Sequence, residues 1–392
     1  MTETLIAGFA RTPFAKFLGQ LARVPATQLG GHAAKAALEK AGVDVNDVQQ
    51  VVVGQVLQGG AGQNPARQSA VAAGIGMDVP SLAVNGVCLS GSEAVVAAHR
   101  LIQLGEADVV VAIGQESMTL APHAASIRAG AKFGDAAMVD TMQHDGLTDA
   151  FERRAMGAST ESFNASHDLT REEQDEFAAS SFQRFEKAQA AGAFDDEIAP
   201  IEVGRGKRAT TVGSDDGGRN GVTAESLGSL RPAFDPEGTI TAGNASQITD
   251  GAAALVLVSD RFAAEHGLHP LARILSTSLV AGPDVSLHEQ PSNAIKSALD
   301  RAGKTAEDLG AVEINEAFAA VGIVSTKALG IDAGIVNANG GAIAMGHPIG
   351  ASGARIVGHL ARRLAQLGAG SVGATGICGG GGQGTALVLE AV

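Results

Sequence analysis

The chain lacks tryptophan and tyrosine altogether, and it has only two cysteines, Cys88 and Cys378, in 392 residues. Two cysteines cannot staple a chain of this length, so the fold must rest on a hydrophobic core, and in a reducing compartment such a pair reads as reactive or incidental. Positive charge is also scarce. Lys plus Arg is 28 against 42 Asp plus Glu, a formal net charge of −14. That balance argues against wrapping nucleic acid or lying on an anionic membrane. No apolar run approaches the ~18 residues of a spanning helix. The opening MTETLIAGFARTPFAKF has no long apolar segment of the kind that marks a secretory signal, and the closing LVLEAV is not a peroxisomal tripeptide, so the cytoplasm is the expected location.

What is abundant is glycine, 52 residues or about 13% of the chain, against a usual ~7%. The glycines follow no collagen-like period, so they mark tight turns and close backbone approaches. With 45% hydrophobic and 18% charged residues the composition is that of an ordinary globular protein. Short apolar runs at 51–53, 108–113, 253–258, 312–314 and 386–389 read as buried strands. Patterns near 27–41, 66–74, 91–104, 171–191, 292–302 and 352–367 read as helices. Their alternation predicts an α/β fold with helices on the sheet faces.

The sequence also repeats. Residues 33–55 (AAKAALEKAGVDVNDVQQVVVGQ) lie over 294–316 (AIKSALDRAGKTAEDLGAVEINE) without a gap, and Ala33, Lys35, Ala37, Leu38, Ala41, Gly42, Asp47 and Val51 meet identical partners. Residues 90–114 resemble 352–376 with one insertion. Two such helix–turn–strand matches in the same order predict a duplicated chain whose halves face each other across a site. The expected division is a first half over 1–117, completed by 250–269, and a second half over 270–392. The stretch 118–249 has no counterpart and reads as an inserted loop domain.

Four residues stand out chemically. Cys88, in VNGVCLSGSEA, follows the strand-like LAV and precedes small residues that open a helix. A sulfur there would feel the positive end of a helix dipole, which favours thiolate; alternatively it is a small buried hydrophobe. His347, in NANGGAIAMGHPIGASGAR, occupies the equivalent turn of the other half and could take the thiol proton, or simply anchor the turn. Cys378 lies in GICGGGGQG, where bare backbone N–H groups could form an oxyanion hole. Asn315, in EINEAFAA, ends a strand.

Together with RTPF, GQNPARQ (62–68), NGVCLSG, GQESM (114–118), DGLTDAF (145–151), LRPAFDPEGTITAGNAS (230–246), INEAFA and CGGGGQG, these motifs make the chain resemble the thiolases, and within them the biosynthetic type of acetyl-CoA acetyltransferase, over nearly its whole length. The resemblance implies two βαβαβαββ halves in five αβαβα layers, a loop domain over the coenzyme A site, and a tetramer built as a dimer of dimers. It implies that Cys88 is the acylated nucleophile, that His347 activates it, and that Cys378 exchanges a proton with the substrate α-carbon or the leaving sulfur. Asn315 would hold a water that forms one oxyanion hole with His347, and the N–H groups of Cys88 and Gly380 would form the other. Arg219, Ser226 and Ser246 match contacts to the nucleotide and pantetheine; Leu147, Met156, Ala317 and Phe318 match the pantetheine tunnel and acyl pocket. Acetyl-CoA, acetoacetyl-CoA and coenzyme A would be the substrates, with no further cofactor and no metal.

An anionic substrate on an acidic chain calls for local cations, and Arg205, Lys207, Arg208 and Arg219 are the candidates. The chain departs from the family at Ala155, where a histidine is common, at 287–291 and at 247–250. A broader-chain degradative 3-ketoacyl-CoA thiolase and a non-catalytic lipid-binding protein of the same fold are the alternative readings.

Overall fold

The computed structural model describes residues 2–130, 132–204 and 206–392. Its framework is one large mixed sheet of nine principal strands: β1 (Thr4–Arg11), β2 (Gln50–Gly54), β3 (Ser81–Val84), β4 (Val109–Ser117), β5 (Thr249–Ser259), β6 (Ala272–Ala281), β7 (Leu309–Ile314), β8 (Val372–Gly379) and β9 (Gln383–Ala391). Their order is β7-β8-β9-β6-β1-β5-β4-β2-β3. The repeat seen in the sequence recurs in this order. The first half runs β3-β2-β4-β5-β1. The second runs β7-β8-β9-β6, and Val336, which bridges Val312 in parallel, stands where β3 stands in the first. The halves join where β1 meets β6, through Leu5 with Arg273 and Ile6 with Ala272.

The layers follow from the two-residue period of a strand. Along β5, Ala252, Ala254, Val256 and Val258 face outward onto α1 (Ala26–Ala41) and, with the rest of that sheet face, α2 (Pro65–Ala72). Ala253, Leu255 and Leu257 face inward onto α3 (Ser90–Gln103) and its counterpart in the second half, Ser352–Leu367. On the far side of the second half, Gln290–Ala302 packs on the outward residues of β7, β8 and β9. The result is helix, sheet, helix pair, sheet, helix. The central pair is covered on both sides, and Ser352–Leu367 is accordingly buried at every position from Ser352 to Ala361. The outer Gln290–Ala302 instead leaves Asn293, Lys296 and Asp300 exposed.

The segment between β4 and β5 adds no strand to this sheet. It builds its own core from Phe182 and Phe185 of the helix Arg171–Ala190, with Phe194 and Ile240, and seats that core on Ala319–Val324 and Ile343–Met345 of the second half. The expected helices and strands occur with ends shifted by a few residues. β1 and β6, and the helix Ala319–Leu329, were not anticipated.

Candidate active site

The two central helices begin almost in contact. A Cβ on Gly91 would lie 2.6 Å from the backbone N of Ala354, and one on Gly353 would lie 2.3 Å from the N of Ser92. Only glycine permits this approach, and it brings the turn before each helix, one carrying Cys88 and one carrying His347, to the same place.

The Cys88 turn is strained. Val87 has φ +54°, a conformation that a β-branched residue rarely adopts. Such a backbone costs on the order of 1–3 kcal/mol and persists where its surroundings enforce it. Here Asn85 Oδ1 accepts from Val87 N–H at 3.0 Å, and the Ser90 hydroxyl both accepts from Gly86 N–H at 3.0 Å and donates to Val87 O at 2.6 Å. Cys88 is partly exposed, and its thiol meets the N–H groups of Gly380 and of Cys88 itself. Burial works against the pull toward thiolate expected of the helix terminus. Burial pushes the thiol up to about 12, the two N–H groups offset this only in part, and the nearby Glu116 carboxylate adds to it.

His347 is pinned by its backbone, which donates to Thr249 Oγ1 and Gln247 O, each at 3.1 Å. Its Nδ1 lies 2.6 Å from Ser352 Oγ and its Nε2 lies 3.5 Å from Asn315 Nδ2. Burial, with a smaller contribution from Arg355, pushes the imidazole down to about 3. Asn315, immediately after β7, is fully buried, and its Oδ1 receives no hydrogen bond from the protein. Cys378, near the end of β8, is buried; burial and then the proximity of Cys88 raise its thiol above the ordinary range.

Cys88, His347, Cys378 and Gly380 line one cavity of about 600 Å³. Leu147, Met156, Ala317, Phe318, Arg219 and Ser246 line it as well. Asn315 stands behind His347 rather than on the surface of the cavity. Ser226 is not brought to it: the side chain is exposed and donates to Thr223 O within its own short turn at 2.8 Å. Arg208 does not line the cavity either, and Arg205 and the Lys207 side chain lie outside the described residues. Ala155 lines the wall, so a methyl group stands where the resemblance led us to look for an imidazole. Among the described residues no cluster of His, Cys, Asp and Glu is placed to hold a metal ion.

Two supporting residues were not singled out from the sequence. Glu116 is buried and accepts from the N–H groups of Val56 (3.0 Å), Leu57 (3.2 Å) and Gly350 (3.0 Å), tying the first half to the His347 turn. Burial lifts its carboxyl to about 7 against those donors. Its signal was a carboxylate just past the apolar run 109–113, in GQESM. Ser352 carried none beyond its spacing of five from the histidine.

Comparison with known proteins identifies the family. Residues 4–261 match the thiolase N-terminal domain and residues 268–391 the thiolase C-terminal domain. A probable acetyl-CoA acetyltransferase of Mycobacterium leprae is 52% identical over 394 aligned positions, covering all of both chains. An acetyl-CoA acetyltransferase of Paracoccus denitrificans is 46% identical, again over all of both. The crystal structure of the Bacillus anthracis acetyl-CoA acetyltransferase superposes with a TM-score of 0.96 at 37% identity, covering all of this chain and 99% of that one. With the family's two domains spanning almost every residue and full-length relatives at this level of identity, the chain belongs to the thiolase family.

Proposed function

We propose that the protein is an acetyl-CoA acetyltransferase, which condenses two acetyl-CoA into acetoacetyl-CoA and coenzyme A and runs the reverse thiolysis. The observation that carries the reading is the convergence of Cys88, His347, Cys378 and the Gly380 N–H on one cavity.

The proton inventory closes. We take both thiols and the imidazole as neutral at rest, the direction in which burial moves each of them. Cys88 Sγ attacks the thioester carbonyl as its proton passes to His347, and the N–H groups of Cys88 and Gly380 take up the negative charge that develops on the carbonyl oxygen. The C–S bond to coenzyme A breaks, and the leaving thiolate takes the proton of Cys378. A Cys378 thiolate beside a His347 imidazolium remains, each stabilised by the other. The thiolate removes an α-proton from a second acetyl-CoA, and the enolate oxygen is held by His347 and by a water on Asn315, whose buried Oδ1 is suited to accept from it. The α-carbon attacks acetyl-Cys88, acetoacetyl-CoA leaves, and the Cys88 thiolate recovers its proton from His347. Beyond the coenzyme A thioesters that are its substrates, this sequence calls on no cofactor.

The reading extends to the segment 118–249 as a cover over the coenzyme A site between two halves, 1–117 with 250–269 and 270–392. It extends to a homotetramer in the cytoplasm, in the acyl-CoA chemistry of fatty acids. The division rests on the internal repeat, the location on the reading of the sequence, and the tetramer and the cover over the coenzyme A site on the resemblance. That no described helix is long and apolar enough to cross a membrane is compatible with them.

The test is incubation with acetyl-CoA followed by peptide mass mapping. One acetyl group per chain on the Cys88 peptide supports the reading, and acetylation confined to Cys378 overturns the roles. Thiolysis of acetoacetyl-CoA against C6 to C16 ketoacyl-CoA substrates then separates this enzyme from a broad-chain degradative one.

A further inference from the structure

The cavity carries a cation that the sequence motifs did not reveal. Lys16 and Phe17 line it together with Arg219. The Lys16 backbone is fixed from two sides: its N–H donates to Asp216 Oδ1 at 2.6 Å, and the residue pairs with Thr249 of β5 while Phe17 N–H donates to Ile248 O at 2.9 Å. Asp216 belongs to a short segment that ends at Arg219. That segment is itself anchored, by Asp215 on the Arg11 guanidinium (2.6 and 2.8 Å) and by Gly217 O, which accepts from Gln247 Nε2 at 2.9 Å. Arg219 lies with its guanidinium carbon 5.9 Å from the centre of the Phe182 ring. Lys16 and Arg219 therefore approach one cavity from two walls held to each other through Asp216.

Both side chains are exposed, and neither makes an ion pair among the described residues. The carboxylate that shares the cavity, Asp140, uses Oδ1 to accept from Met142 N–H at 2.9 Å. Two exposed cations lining one cavity, without an ion-pair partner among the described residues, give a local positive field that suits a polyanion.

We propose that Lys16 is a phosphate-binding residue of the thioester site, acting with Arg219 on the nucleotide end of the substrate. The proposal rests on the acyl-CoA reading and deepens it. A lysine on a flexible stem acts as a point charge, so it serves a phosphate without demanding one geometry. Because that end of the substrate does not react, its contact should be equal in ground and transition states and appear in KM.

The experiment compares wild type, Lys16→Ala and Lys16→Arg in thiolysis of the acetoacetyl thioesters of coenzyme A, 3′-dephospho-coenzyme A and pantetheine. For the coenzyme A ester, Lys16→Ala should raise KM about tenfold and leave kcat within about twofold. Lys16→Arg should restore most of the loss, and ~0.5 M salt should erase it. For the pantetheine ester, which has no phosphate, wild type and Lys16→Ala should not differ. The 3′-dephospho ester identifies the group: a persisting defect assigns the diphosphate, a vanished one the 3′-phosphate. An unchanged KM at low salt, or an equal rise with the pantetheine ester, overturns the proposal. Calorimetric titration of coenzyme A into wild type and Lys16→Ala keeps the two readings separate, since an enzyme without thiolysis would defeat the function above while the affinity ratio still decides on Lys16.

Discussion

The Nδ1 of His347 lies 2.6 Å from the hydroxyl of Ser352, and this contact decides which imidazole nitrogen is free to act. Ser352 Oγ has one hydrogen and donates it to Pro348 O at 3.1 Å. With its hydrogen on Pro348 O, the hydroxyl receives from His347, and Nδ1 carries the proton; this is the tautomer we assign. On the other side of the ring, Asn315 presents Nδ2, a donor, to Nε2 at 3.5 Å. Both contacts fit the same tautomer, with the proton on Nδ1 and a lone pair on Nε2.

Removing that hydroxyl should therefore impair chemistry more than binding. Ser352→Ala is expected to slow acetylation of Cys88 by about 10- to 100-fold, within the usual worth of a correctly protonated base, with little change in KM for acetyl-CoA. Rapid-quench measurement of the acetyl-enzyme checks this. An unchanged burst rate would mean that Asn315 alone orients the ring.

The resting protonation state gives a second test. Burial pushes the Cys88 thiol up, to about 12, and the His347 imidazole down, to about 3, so a neutral pair is the expected resting state and not a thiolate–imidazolium pair. Raising a thiol's pKa lowers its thiolate fraction at any pH below it. Alkylation of Cys88 by iodoacetamide should thus climb about tenfold per pH unit from about pH 7 to 9, without a plateau. A plateau below pH 7 would reveal a preformed ion pair.

The reach of the sequence can be judged from these same residues. Cys88, His347 and Cys378 were legible because each sits in a run of small residues that serves close backbone approach, and the duplication announced that two such turns would meet; Asn315, in EINEAFAA, was legible only through the resemblance. The strain at Val87 was not legible, since φ at one residue depends on Asn85 and Ser90 folding back onto it. Lys16 was overlooked because its place on the cavity is set by Asp216, two hundred residues away. The polar stretch 204–221 misled in part: of its described basic side chains, Arg219 reaches the cavity and Arg208 does not. Local pattern identifies an element, but which loop end closes over which cavity is fixed by packing between elements.

A buried charge cluster holds the insertion to both halves. Arg11 of β1 pairs with Glu197 at 2.7 Å and with Asp215 at 2.6 Å, and Glu197 also meets His359 at 2.7 Å. Burial alone would raise the Glu197 carboxyl, but His359 and Arg11 hold it at about 2, against an ordinary 4.5. A depressed carboxyl contributes stability that is present above the ordinary value and lost as pH falls through the folded one. Glu197→Gln should cost about 3–5 kcal/mol at neutral pH, because it strips a charge from a buried partner. The gap between variant and wild type should narrow as pH falls from about 4.5 toward about 2. Urea titrations across that range test both statements, and a gap independent of pH would show that the carboxylate charge is not what stabilises.

The two cysteines are separable. Cys378 is a buried thiol kept protonated by its surroundings and by Cys88 beside it, so at rest it is an acid. It becomes a base only after giving its proton to the leaving coenzyme A sulfur, which makes α-proton removal conditional on prior acetylation. Cys378→Ala should still acetylate Cys88, more slowly because the leaving thiolate lacks its proton donor. Condensation should fall by ~10² to 10⁴, the worth of a positioned acid–base group. The variant should also lose exchange of acetyl-CoA α-protons with solvent deuterium. His347→Ala should instead depress acetylation itself, since nothing then takes the Cys88 proton. The deciding measurement is deuterium exchange on enzyme already acetylated at Cys88. If Cys378→Ala exchanges those protons as fast as wild type, the base is another group, and His347, on the same cavity, becomes the leading candidate.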